Sequence, residues 1–253
     1  MQDEHSPGSN PSSPEPSPVS EPSVLETRFD DPASLADALA DSIAGGLRRA
    51  VEQRGRASLV VSGGSTPLPL FERLAGELVP WSQVTVTLAD ERWVAPGREG
   101  SNESLVREHL LRGDAEDASF VGLWNDAPTP EAGWSQTEVA LATIPRPFDI
   151  VVLGMGTDGH TASLFPGSAE LAAGLDLSTD RVCLAVHPTA APHPRMSLTL
   201  RALLDSHRSI IHITGDAKWQ VYRRALRPGP VEELPVRGVL GRGREPIDVY
   251  WAP

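Results

Sequence analysis

The chain is predicted to be an α/β protein whose mainly parallel sheet is covered on both faces, and three observations carry this. Runs such as Phe148–Leu153 (FDIVVL) and Ala57–Ser62 (ASLVVS) are almost continuously apolar, as strands buried on two faces must be. Segments with helical apolar spacing stand between such runs, supplying the crossovers that parallel neighbours require. Glycine-rich or charged turns follow four of the strands, where open α/β sheets place their ligands.

Taken in order, Leu35, Leu39, Ile43, Leu47 and Val51 recur every four residues. Asp31 before Pro32 marks the start of that helix, and Gly55 its stop. Ala57–Ser62 reads as a strand, Pro67–Leu78 as a helix, Val84–Leu88 as a strand and Ser104–Leu111 as a helix. Phe148–Leu153 is the most apolar strand and is expected at the centre of the sheet. Arg181–Val186 and Ser209–Thr214 add two further strands, Gly215–Leu226 a late helix and Ile247–Trp251 a closing strand. No internal repeat interrupts the pattern, so residues 24–253 are expected to form one α/β domain.

Residues 1–23 differ in kind: six prolines, seven serines, four acids and no Lys or Arg. Such a segment cannot bury enough apolar surface to offset its ordering entropy and is expected to be a disordered tail. The 253-residue chain is not short of core, with 40% hydrophobic residues overall. Cys183 is the only cysteine, so no intrachain disulfide can form, which suits a reducing compartment. No apolar run approaches the roughly 20 residues of a membrane span, and the basic and apolar regions of a signal peptide are missing. A cytoplasmic location is expected. The net charge of −12 argues against nucleic acid as a partner, though not against a small anion held by a few local cations. Of the 22 basic residues only Lys218 is a lysine.

The turn after the first buried strand is Ser62-Gly63-Gly64-Ser65-Thr66-Pro67. Gly63 and Gly64 let the backbone approach a ligand, and the amides and hydroxyls of Ser65 and Thr66 could cradle an anion at a helix start. A capped strand–helix turn with no ligand accounts equally well for the motif. It is neither a Walker loop nor a nucleophile elbow. The second turn, Asp90-Glu91-Arg92, reads in isolation as a solvated charged turn. Its other reading gives Arg92 a phosphate to grip with its planar fork, and Asp90 a sugar hydroxyl or a catalytic group to orient. Asn102 suits a helix cap or a substrate contact.

The third turn runs Gly154-Met155-Gly156-Thr157-Asp158-Gly159-His160. It contains G-x-G-x-x-G after a strand, yet Pro166 follows within two turns, where a dinucleotide site needs a long helix. What remains is a glycine loop presenting Asp158 and His160 at the base of a cleft. Imidazole titrates near neutrality, which makes His160 a natural general base. His5, His109, His187, His193 and His207 read as structural or surface residues, and His212, within a strand, as core. The fourth turn, Thr214-Gly215-Asp216-Ala217-Lys218, puts Lys218 on the first turn of a helix. A cation there is mildly unfavourable unless an anion sits beside it; otherwise it is an exposed helix lysine. No His-x-x-x-His or Cys-x-x-Cys pair occurs, so no metal site is expected. Cys183 reads as a small buried apolar residue.

In combination, SGGSTP, DERWV with SNESLVREHLL, LGMGTDGHTASLFPGS, RMSLTL and ITGDAKW resemble the 6-phosphogluconolactonase family, part of the wider sugar-phosphate isomerase and deaminase superfamily. The strings occur in the family's order across residues 24–253. The resemblance implies a three-layer, doubly wound, Rossmann-like α/β fold that needs no cofactor. It also implies hydrolysis of 6-phospho-D-glucono-1,5-lactone to 6-phosphogluconate in the pentose phosphate pathway. Carried over by position, Ser65, Thr66, Arg92 and Lys218 would hold the phosphate, with Gly63 and Gly64 also binding substrate. His160 would be the base, assisted by Asp158 or Asp90, with Asn102, Gly156 and Arg195 lining the site. The partner is then a phosphorylated sugar lactone, and the chain a monomer or small homo-oligomer. Two stretches depart from the family pattern: Leu200–Leu204 lacks an expected Leu-Pro-x-Leu-Asn run, and Ala190–Pro194 lacks a lysine.

Three other functions fit parts of the pattern. A glucosamine-6-phosphate deaminase would share the fold, but its glycine loop continues to a glutamate just before a proline, where this chain has Phe165. A non-catalytic sugar-phosphate sensor would need a DNA-binding segment or basic stripe that is not evident. A nucleotide-linked dehydrogenase lacks the helix behind its fingerprint.

Overall fold

The computed structural model describes residues 23–189, 191–243 and 245–253; the expected tail lies outside them except for Ser23. The chain begins with β1 (Val24–Arg28), α1 (Pro32–Arg54), β2 (Ala57–Val61), α2 (Leu68–Leu74), β3 (Val84–Leu88) and β4 (Asp90–Arg92). It continues through α3 (Asn102–His109), β5 (Ser119–Val121), α4 (Pro130–Leu141), β6 (Ile150–Leu153), α5 (Leu171–Leu175) and β7 (Cys183–Val186). The last third holds β8 (Arg195–Leu198), α6 (Leu200–Leu204), β9 (Ser209–Thr214), α7 (Asp216–Ala225), α8 (Val236–Arg242) and β10 (Ile247–Ala252).

Local chemistry accounts for the best-defined boundaries. Asp31 caps α1, its Oδ1 accepting from the N–H groups of Ala33 and Ser34 at 2.9 Å, with Pro32 at the first helical position. Gly55 ends the helix in a left-handed conformation (φ 70°) and donates its N–H to Val51 O, as a C-terminal glycine is suited to do. The four-residue stripe is the buried one, with Leu35, Leu39 and Leu47 fully inaccessible. Helix α2 is shorter than its sequence predicts. Past Ala75 the rest of the predicted stretch buries no apolar residue: Leu78 stays 80% exposed, and Gly76 turns its N–H back to Arg73 O.

The main sheet has seven strands in the order β1-β10-β9-β6-β2-β3-β5, and every pairing in it is parallel. All residues of β2 and β6 are buried. Successive strand residues face opposite ways, so both faces of the sheet must be covered. Strand β6 stands in the middle, as its composition predicts, while β10 lies one strand in from an edge that β1 occupies. Within the described residues no helix is long and apolar enough to cross a membrane.

One predicted strand joins a different sheet. The run ending at Val186 does not extend the main sheet; β4, β8 and β7 form a separate antiparallel sheet of three. The short return from Val186 to Arg195 permits a hairpin, whereas parallel insertion needs a longer crossover. This hairpin recruits Asp90–Arg92, expected to be a turn, as its third strand.

The topology decides where the four sequence motifs meet. Strands β9, β6, β2 and β3 are consecutive neighbours. The connection from β2 runs outward to β3, whereas β6 lies on the other side of β2, so the winding reverses between β2 and β6. Crevices at such reversals, beyond the carboxyl ends of the strands, are where doubly wound sheets bind ligands.

Candidate functional site

Beyond those strand ends lies a cleft of about 250 Å³, lined by residues from all four motifs. Gly63, Gly64, Ser65, Thr66, Asp90, Arg92, Asn102, Gly156, His160, Arg195 and Lys218 all border it. Asp158 reaches it only through His160.

On the β2 side, Gly64 adopts φ 95°, open to glycine at no steric cost. At Gly63 a Cβ would collide with the Asn102 side chain, so the loop can pack there only without one. Among the described residues, the amides of Gly63, Gly64, Ser65 and Thr66 have no protein acceptor. From the first turn of α7, which follows β9, Lys218 Nζ crosses to donate to Thr66 Oγ1 at 3.1 Å. Partial burial holds the Lys218 ammonium below its ordinary pKa. His212 is 3% exposed and also lines the cleft. Burial first, then the Lys218 charge, pushes its imidazole down to about 4, so it is neutral near pH 7.

On the β6 side, His160 Nδ1 lies 2.6 Å from Asp158 Oδ1. Burial works to raise the Asp158 carboxyl, but the hydrogen bond and charge of His160 outweigh it and hold it below the usual carboxylate range. An ionised carboxylate only accepts, so Nδ1 carries the proton and Nε2 is left basic. The loop's shape depends on Gly156, where a Cβ would run into the His160 ring and Asp158 Oδ1. Gly154, Gly156 and Gly159 donate their N–H groups within this region, to Ser62 Oγ, His160 O and Gly156 O. Those three amides are therefore not open to a ligand.

On the β3 side, β4 pairs with β8 so that Arg92 stands opposite Arg195. Period-two alternation sends Asp90 and Arg92 to the cleft and Glu91 away from it. Asp90 Oδ2 accepts from Ser163 Oγ at 2.5 Å and lies 3.7 Å from Arg195. Asn102 Nδ2 donates to Asp90 O at 2.8 Å. Of the two acids the sequence left open as partners for His160, the hydrogen bond belongs to Asp158; Asp90 instead holds Ser163 and Arg195. Arg92 donates to Gly100 O at 2.6 Å, yet among the described residues the buried Nε atoms of Arg92 and Arg195 have no partner.

Helix α3 is capped by Ser101, whose Oγ accepts from Ser104 N–H, leaving Asn102 as the first helical residue rather than the cap. Three contributors escaped the sequence analysis. Ser163 anchors Asp90. His212 was placed in the core and is buried, but it also forms cleft wall. Glu91 is fully buried and accepts from the N–H groups of Arg92, Asn102 and Glu103, each at 2.7 Å. Burial pushes its carboxyl up to about 7 against those donors. The strand alternation of DER was the one signal that could have separated Glu91 from its neighbours.

The family model for glucosamine-6-phosphate isomerases/6-phosphogluconolactonase matches residues 30–251. The chain belongs to this family. A 6-phosphogluconolactonase of Rhizobium meliloti is 44% identical over 225 residues, covering 89% of this chain and 97% of the relative. Another, from Pseudomonas putida, is 43% identical over 223 residues, covering 88% and 90%. The crystal structure of a 6-phosphogluconolactonase from Shewanella baltica superposes with a TM-score of 0.89 at 48% identity, covering 93% of this chain and 99% of that one. This member of the isomerase/lactonase family thus matches its lactonase relatives over most of its length.

Proposed function

We propose that the protein hydrolyses 6-phospho-D-glucono-1,5-lactone to 6-phospho-D-gluconate, with His160 as general base. The observation that carries this is the pairing of a basic Nε2, oriented by Asp158 at 2.6 Å, with a run of unpartnered amides across the same cleft. The near-relatives named as lactonases support the substrate.

The phosphate sits against the amides and hydroxyls of Ser65 and Thr66, with Lys218 and Arg92 supplying charge. A δ-lactone is an activated ester, so no covalent nucleophile is required. Nε2 of His160 takes a proton from water as the water oxygen bonds to the ring carbonyl carbon. An N–H of Arg195, whose Nε lacks a partner among the described residues, offers a donor for the oxyanion that develops. The imidazolium then protonates the ring oxygen as the carbon–oxygen bond breaks, and the carboxylic acid formed ionises. Holding the phosphate fixes the ring against the base, which is catalysis by proximity.

The test is acid release from freshly prepared phospholactone, followed by pH-stat with and without protein. Catalysed release is expected, with His160→Ala lowering kcat at least about 10²-fold and KM little changed. Release at the spontaneous rate would sink the lactonase reading, and an unimpaired, folded His160→Ala would remove His160 from the base role. The deaminase alternative predicts ammonia release from glucosamine 6-phosphate; none above background is expected.

A further inference from the structure

Phe165 is 9% exposed and stands apart from the main core, in a small apolar cluster with Leu184 and Val186. Its ring centroid lies 4.3 Å from that of His160, with the planes 36° apart. The Arg195 guanidinium carbon lies 5.5 Å from the same ring. Phe165 therefore packs against both the proposed base and Arg195.

The chain goes out of its way to put it there. Between His160 and Phe165, Thr161 and Leu164 pair as an isolated bridge, and Leu164 N–H returns to Thr161 O at 3.0 Å. Ala162 at the bend has φ 48°, a left-handed conformation that residues with a Cβ seldom adopt. The bend is pinned on both sides. Thr161 Oγ1 donates to Gly154 O at 2.9 Å, Ser163 N–H to Ser197 Oγ at 3.1 Å, and Ser163 Oγ to Asp90 Oδ2 at 2.5 Å. Strained backbone held by several independent anchors is characteristic of functional sites.

What the ring adds follows from how loosely His160 is otherwise held. Among the described residues its side-chain tether is one hydrogen bond to Asp158, a carboxylate whose side chain is itself 51% exposed. One bond to a half-exposed carboxylate, which the His160 backbone N–H also holds at 3.1 Å, leaves the face of the imidazole without support. A catalytic rotamer stays locked only when packing supports the hydrogen bond. Resting on the base reading above, we propose that Phe165 is a positioning residue for His160. Its ring, braced by Leu184, Val186 and Arg195, holds the imidazole in the Asp158-bonded orientation with Nε2 toward the cleft.

The experiment compares Phe165→Leu, Phe165→Met and Phe165→Tyr with the parent protein and with His160→Ala, using phospholactone and pH-stat. Circular dichroism and melting select the folded variants. Proton NMR of the His160 ring reports its stacking by ring-current shift. The expected result is a kcat loss of roughly tenfold or more for Leu or Met with KM within about twofold, recovery in Tyr, and loss of the ring-current shift in step with kcat. Parental kcat in folded Leu or Met variants, or no recovery with Tyr, would overturn the proposal. A loss confined to KM would overturn it too. Its failure is separable from that of the base reading: an inactive His160→Ala beside a fully active Phe165→Leu sinks only the positioning role.

Discussion

At Gly156 a single absent methyl group shapes the site. The atoms nearest to a Cβ there belong to the His160 ring and a carboxylate oxygen of Asp158, and both side chains are partly exposed. Gly156→Ala is therefore expected to fold with a melting temperature close to the parent's while kcat drops at least about tenfold, because sub-ångström misplacement of a base is costly. Thermal melts beside pH-stat kinetics would check it, and a fully active alanine variant would mean the dyad tolerates displacement. Arg92 makes the complementary case on the binding side. A charge-assisted hydrogen bond contributes about 1.5–3 kcal/mol, so Arg92→Ala should lower kcat/KM roughly 10- to 150-fold. The loss should shrink on unphosphorylated gluconolactone; equal losses on both substrates would place Arg92 away from the phosphate.

Strand β4 is only three residues long, too short to hold its place by pairing alone. Glu91 ties it down: one carboxylate takes the first two amides of α3, those of Asn102 and Glu103, as well as the Arg92 amide. Orphaned helix-start donors are satisfied from the neighbouring strand, and Arg92 and Asn102 are held in the cleft wall as a consequence. Replacing Glu91 by Leu strands three buried N–H groups at about 1–3 kcal/mol each. A loss of about 3 kcal/mol or more in urea unfolding is expected. An unchanged midpoint would show that water or a shifted backbone meets those donors.

For the molecule as a whole, two buried groups set opposing pH dependences. His212 is held at about 4, below the ordinary histidine value near 6.5. The unfolded chain takes up that proton first, so its contribution is complete above pH 6.5 and is lost as pH falls toward 4. The loss is at most roughly 3 kcal/mol. Glu91, raised to about 7 from 4.5, works the other way: its contribution is complete below pH 4.5 and lost as pH rises through 7. Melting temperatures of His212→Gln and the parent between pH 4 and 7 separate the two. The variant should lose less stability on acidification than the parent; parallel curves would show that His212 does not titrate between the folded and unfolded states.

The periodic content of the chain was legible without coordinates. Helix α1 with its Asp31 and Gly55 ends, strands β3 and β9, and the central place of β6 all follow from spacing and caps, which act over a few residues. The motifs could be seen to be special for the same reason, since glycines, a lone lysine and a histidine after apolar strands are local departures from pattern. Their meeting could not be seen. That β9, β6, β2 and β3 are neighbours, that β7 pairs with β8 and β4 rather than the main sheet, and that Asp158 rather than Asp90 holds His160 are outcomes of long-range packing. Glu91 and Ser163 were missed on the same ground: nothing next to them in the chain marks an acceptor for a distant helix start or a donor to Asp90. Local sequence determined which residues could do chemistry. The tertiary fold decided which of them touch, because contact between residues 90 and 163 depends on sheet order and strand register, and no short window of sequence contains either.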